Sequence, residues 1–236
     1  MTTEAVPAFL ELRGVGKTYG QGPTAVVALD RIDLSVSAGE LLAVTGRSGS
    51  GKSTLLNVAG GLDTVTEGAV FVAGTDLASL RPRALATVRR QRIGFVFQQG
   101  NLLPTLTALE NVALPLELDG MAPRRAHKEA RAALLDVMPE DAMRRYPQEL
   151  SGGQQQQIAI TRALVGRREL LLADEPTGAL DELTGEAVLR LLRARADEGA
   201  AVVMVTHDAT CAGWADKVVR LRDGRLEMAV EPEAAS

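Results

Sequence analysis

An apolar run, Leu41-Leu42-Ala43-Val44-Thr45, feeds directly into Gly46-Arg47-Ser48-Gly49-Ser50-Gly51-Lys52-Ser53-Thr54, and no other stretch constrains the fold as tightly. The first part reads as a buried strand, and the second carries the P-loop spacing in the strand-to-helix setting that the pattern requires. Its glycines let the backbone close around a polyphosphate, so that N–H groups and the positive end of the next helix face the anion. Lys52 is then expected to reach the β- and γ-phosphates, with the Ser53 hydroxyl as a ligand for Mg²⁺. An ordinary Gly/Ser turn is the plain alternative, and the full pattern in this setting argues against it.

Further short apolar runs at Gly68–Ala73, Ile93–Phe97, Leu170–Ala173 and Val202–Thr206 predict strands. Helical patterns fall between them at Lys52–Gly60, Pro82–Gln91, Ala108–Leu118, Arg125–Val137, Ser151–Val165 and Thr184–Arg195. The alternation predicts an α/β fold, a P-loop NTPase core with a mostly parallel sheet. Residues 101–150 break the pattern: they are largely helical and punctuated by Pro104, Pro115, Pro123, Pro139 and Pro147, which suggests an inserted helical subdomain. Asp223-Gly224 between Val218–Leu221 and Arg225–Met228 signals a hairpin, and the acidic end at 231–236 reads as a tail.

With 26 basic against 30 acidic residues and 3% aromatics, neither a phosphate-backbone grip nor a base-stacking surface is indicated, so no nucleic-acid partner is expected. The lone Cys211 excludes an internal disulfide framework and reads as a small buried apolar group. No apolar stretch approaches a bilayer-spanning length, which places the expected location in the cytoplasm.

Leu170-Leu171-Leu172-Ala173 ends in Asp174-Glu175, two acids delivered to the edge of the phosphate site. Asp174 suits the Mg²⁺ shell, and Glu175, leaving the strand edge in a different direction, is placed to polarise an attacking water. Leu150-Ser151-Gly152-Gly153-Gln154 opens a second helix with Ser151 as N-cap and two glycines that expose N–H groups. Alone, such a turn is usually only a cap.

Taken with the P-loop and the Asp-Glu strand, this pentapeptide resembles the signature motif of ABC ATPases, and the resemblance runs from about Phe9 to Met228 with the motifs in the family's order. It implies a single cassette: residues 1–100 and 166–230 as the core with an antiparallel β subdomain, and residues 101–165 as the helical signature subdomain. It further implies that Tyr19 stacks on adenine, that Gln98 touches Mg²⁺ and the attacking water, and that His207 contacts the γ-phosphate. Ala179-Leu180-Asp181 matches the loop that communicates between subunits. On residues alone, Tyr19 reads as packing and His207 as a structural group, and His127 reads as a helix-surface residue. Gln157 departs from the Arg common in the family. The implied activity is ATP hydrolysis within a homodimer that sandwiches each ATP between one P-loop and the other copy's Ser151–Gln154. The implied partner is a separate transmembrane permease, holding the chain at the inner face of the membrane. Asn101-Leu102-Leu103-Pro104, Leu109-Glu110-Asn111-Val112 and Leu221-Arg222-Asp223-Gly224-Arg225 look most like the subfamily of lipoprotein release, macrolide export and mechanotransmission. A mechanotransmission ATPase, which moves no cargo, is the alternative.

Overall fold

In the computed structural model, residues 8–227 are described, apart from Gln99, Arg167 and Ala179. Two sheets form the frame. The larger is built from β3 (Leu41–Thr45), β6 (Ile93–Val96), β7 (Leu170–Asp174), β8 (Ala201–Thr206), β9 (Lys217–Arg222) and β10 (Arg225–Glu227), in the order β10-β9-β3-β8-β7-β6. Every pairing in it is parallel except the β9–β10 hairpin. The smaller sheet is antiparallel, with order β2-β1-β4-β5, and contains β1 (Ala8–Tyr19), β2 (Val26–Ser37), β4 (Glu67–Val72) and β5 (Thr75–Asp76).

Alternation along the central strands sorts their side chains into two cores. Leu42, Val44, Leu170, Leu172, Val203 and Val205 face the antiparallel sheet, with Leu55, Leu56 and Val58 of α1 (Lys52–Ala59) packed between. Leu41, Ala43, Leu171, Ala173, Val202 and Met204 face the opposite way, onto α6 (Glu182–Asp197), α7 (Ala209–Ala212) and part of α5 (Gly152–Leu164). Strands buried on both faces read as continuous apolar runs, which is why these strands are plain in the sequence. Burial of each large aliphatic side chain contributes about 1.5–3 kcal/mol, so α1 is clamped by Leu55, Leu56 and Val58 and its N-terminus is held in place.

A third core joins α3 (Ala108–Leu118), α4 (Pro123–Leu135) and α5, through Val112, Leu116, Leu134 and Ile158 among others. The helix starts have local causes. Thr107 and Glu110 form a capping box on α3, while Pro123 takes the first position of α4, where a missing N–H costs nothing. Pro115 lies inside α3, in its last two turns. The remaining helix, α2 (Pro82–Arg92), leads into β6 at the edge of the sheet. Cys211 is buried, as its sequence setting suggests, and burial raises its thiol pKa. His127 lies half-buried on α4, its Nε2 3.2 Å from Glu117 of α3.

Candidate functional site

The parallel strands deliver their carboxyl ends to one edge, and the loops that follow β3, β7 and β8 converge there. Gly46–Gly51 wraps from β3 into α1. A β-carbon on Gly46 would run into the Leu221 carbonyl and the Ser50 hydroxyl, so only glycine fits. Gly51 caps α1 in a left-handed conformation at φ 106°, and no side chain caps the helix there. The first N–H groups of α1 are therefore left for another acceptor. Arg47, Ser48 and Gly49 are exposed, whereas Ser50 is buried. Lys52 Nζ donates to the carbonyls of Gly46 at 2.8 Å and Arg47 at 3.1 Å, which holds the ammonium over the loop.

Asp174 ends β7 beside this loop. Burial pushes its carboxyl above the usual range, and the Glu175 charge adds to that; the Ser53 hydroxyl and the Lys52 ammonium act against it. A half-buried carboxylate beside a serine hydroxyl and a second acid is a donor set of hard oxygens, which fits Mg²⁺. Glu175 takes φ 45°, an unusual conformation for a residue with a side chain, and its N–H donates to the Val205 carbonyl at 3.0 Å. Its carboxylate is 9% exposed at residue level and held from two sides: Oε1 lies 2.8 Å from His207 Nδ1, and Oε2 accepts from Thr206 Oγ1 at 3.2 Å. Opposite a carboxylate, the Nδ1 tautomer that carries the proton is favoured. A carboxylate has about four acceptor positions, so two remain for a water.

Tyr19 ends β1, 42% exposed, with its phenol donating to Asp63 at 2.8 Å and the Lys17 ammonium 4.8 Å from its ring centre. The hydroxyl also lies near Thr54 in the first turn of α1, so the ring stands beside the loop. Gln98 is exposed just beyond β6, on the strand next to β7, and no described hydrogen bond ties it to Asp174 or Glu175. Ser151 is the N-cap of α5. Its hydroxyl accepts from Gln154 N at 3.2 Å and Gln154 Oε1 accepts from Ser151 N at 3.0 Å, a reciprocal box that gives Gln154 a structural task. Among the described residues, nothing lies within 4 Å of a β-carbon placed on Gly152, and Gly153 would meet Leu180 at an ordinary 3.6 Å. No described hydrogen bond or cavity joins Ser151–Gln154 to the Gly46–Thr54 loop.

The fold thus brings together Lys52, Ser53, Asp174, Glu175 and His207, with Tyr19 alongside. It leaves Ser151–Gln154 apart. Residue patterns alone did not point to Thr206 or Asp63: a threonine at the end of a buried strand and an aspartate in a turn carry no motif. Asp181 caps α6, accepting from Thr184 N at 3.0 Å, while Ala179 lies outside the described residues.

A family model described as ABC transporter matches residues 29–178. Macrolide export ATP-binding/permease protein MacB is 44% identical over 219 residues in Salmonella choleraesuis (strain SC-B67) and over 217 residues in Escherichia coli (strain K12). Those alignments cover 93% and 92% of this chain but 34% of each relative, so the chain spans about a third of their length. Among solved structures, a dimeric post-hydrolysis state of the ATP-binding cassette MJ0796 bound to ADP and Pi is similar at 41% identity with a TM-score of 0.90. It matches 96% of this chain and 100% of that one, as does a second dimeric structure of the same cassette.

Proposed function

This chain belongs to the ABC transporter family, and we propose that two copies of it close head to tail around ATP and drive a transmembrane permease. One observation carries the shared-site reading. Gly152 is the first residue of α5, and among the described residues neither a left-handed backbone nor crowding by its own chain asks for glycine there. Close approach by something outside the chain accounts for it, and the phosphate chain held by a second copy is an anion suited to that helix start. The dimeric structures of MJ0796 favour the same arrangement.

Within each site the roles follow from position. The backbone of Gly46–Gly51 and the start of α1 bind the phosphates, with Arg47, Ser48, Gly49, Ser50 and Thr54 completing the wrap, and Lys52 neutralises charge that develops on them. Ser53, Asp174 and Gln98 would hold Mg²⁺, which when bound supplies charge neutralisation at the phosphate oxygens. Glu175 takes the proton of the attacking water, while His207 orients the carboxylate from its exposed side. Tyr19 offers its ring face to the adenine.

The permease is expected in the groove between α2, β6, α3 and α5, a cavity of about 420 Å³. It carries the stacked Phe95 and Phe97 with Arg162, while Arg90 and Arg168 are both paired with Asp119 at 2.7 and 3.3 Å, so the groove suits the apolar face of an amphipathic segment. Among the described residues Arg162 pairs with no carboxylate; it donates instead to the carbonyls of Gly100 and Asn101, just past Gln98. Motion of α5 is in this way linked to the loop that carries Gln98. Residues 101–165 are the helical subdomain of this reading, with 1–100 and 166–230 as the core. Among the described residues no helix is long and apolar enough to cross a membrane. We place the cassette at the cytoplasmic face on the strength of the family likeness, held by its permease, and the MacB likeness favours an export-type partner.

Glu175→Gln tests the chemistry. It is expected to keep ATP binding and to lower steady-state hydrolysis by about 10²–10⁴-fold, the range for losing an acid–base group. Unchanged turnover would remove Glu175 from its role.

A further inference from the structure

We propose that Thr206 is a positioning residue for hydrolysis: its hydroxyl fixes the Glu175 carboxylate in the orientation from which it acts. The inference rests on the role given to Glu175 above. Thr206 is the last residue of β8 and is 1% exposed. Its Oγ1 accepts from the Asp208 N–H at 3.0 Å and lies 3.2 Å from Glu175 Oε2. With a lone pair taken by Asp208, the single hydroxyl proton is left to point at the carboxylate. A β-branched side chain is stiff at χ1, so the direction of that bond is set by the strand itself.

The opposite side of the clamp is different. His207 bonds Oε1, but its side chain is 72% exposed and free to leave for another contact. Glu175 has three rotatable bonds beyond a left-handed backbone, and among the described residues Thr206 is the one buried side chain hydrogen-bonded to its carboxylate. If His207 turns toward a phosphate during the cycle, Thr206 alone keeps the carboxylate plane in register with the water.

The test compares Thr206→Val, which keeps the shape and loses the hydroxyl, with Thr206→Ser, which keeps the hydroxyl. Thr206→Val is expected to lower kcat about tenfold, a cost in line with small misplacement of a reacting group, while KM stays within about twofold. Thr206→Ser should recover most of that loss. In single-turnover assays on the Glu175→Gln background, adding Thr206→Val should change nothing further, since the group being positioned no longer acts as a base. Thr206→Ala is scored in the same way and carries the test if the valine variant melts below the assay temperature. An unchanged kcat in the variants without the hydroxyl, or an equal loss on the Glu175→Gln background, overturns the proposal. A Glu175→Gln protein with normal hydrolysis overturns the parent reading as well; a slow Glu175→Gln beside a normal Thr206→Val overturns only this one.

Discussion

Two helices in this molecule begin at glycine-rich turns, and they begin in opposite ways. The turn before α1 is crowded by its own chain: Gly46 abuts the Leu221 carbonyl, Gly51 abuts the Ala28 carbonyl, and no side chain caps the helix. The turn before α5 is open and self-capped, with Ser151 and Gln154 satisfying each other and space beyond Gly152. In the first turn glycine is demanded by the fold. In the second nothing among the described residues demands it, which points to a reason outside the folded monomer.

Alanine substitution sharpens that contrast. Gly46→Ala forces a methyl into a backbone carbonyl, and overpacking of this kind costs about 1–3 kcal/mol. We expect a Tm lower by several degrees, read by calorimetry, and weakened nucleotide binding with it. Gly152→Ala, in the first turn of α5, should leave the stability of the fold unchanged or raise it by well under about 1 kcal/mol, while hydrolysis falls. A Gly152→Ala protein that loses stability would break the comparison, because it would mean the monomer itself needs that glycine.

The two sheets were not equally legible. β3, β7 and β8 each open with four or five apolar residues buried on both faces, and their runs stand out in the sequence. β1 and β2, twelve residues each, do not read as strands from residue pattern. Their pairing shifts register between Leu12 and Val15, where Gly14 turns to φ 56°, and again around Lys17, so the alternation loses phase partway along. Family likeness had to supply the antiparallel sheet. The loop, Asp174, Glu175 and the Ser151 helix start stand out in the sequence by motif and spacing. Thr206 was missed because its role depends on register, since β8 must run beside β7 for its last side chain to reach Glu175. The sequence pattern points to Gln154 as part of an anion site, whereas its side chain is committed to the cap.

The central claim is that one copy's helix start completes the other copy's phosphate site, and particle mass tests it most directly. Glu175→Gln, mixed with saturating ATP and Mg²⁺ and followed by light scattering, should pass from the 25.0 kDa chain to twice that mass, and adding Gly152→Ala should reduce the shift. A particle that stays at the single-chain mass with ATP demonstrably bound would contradict the account.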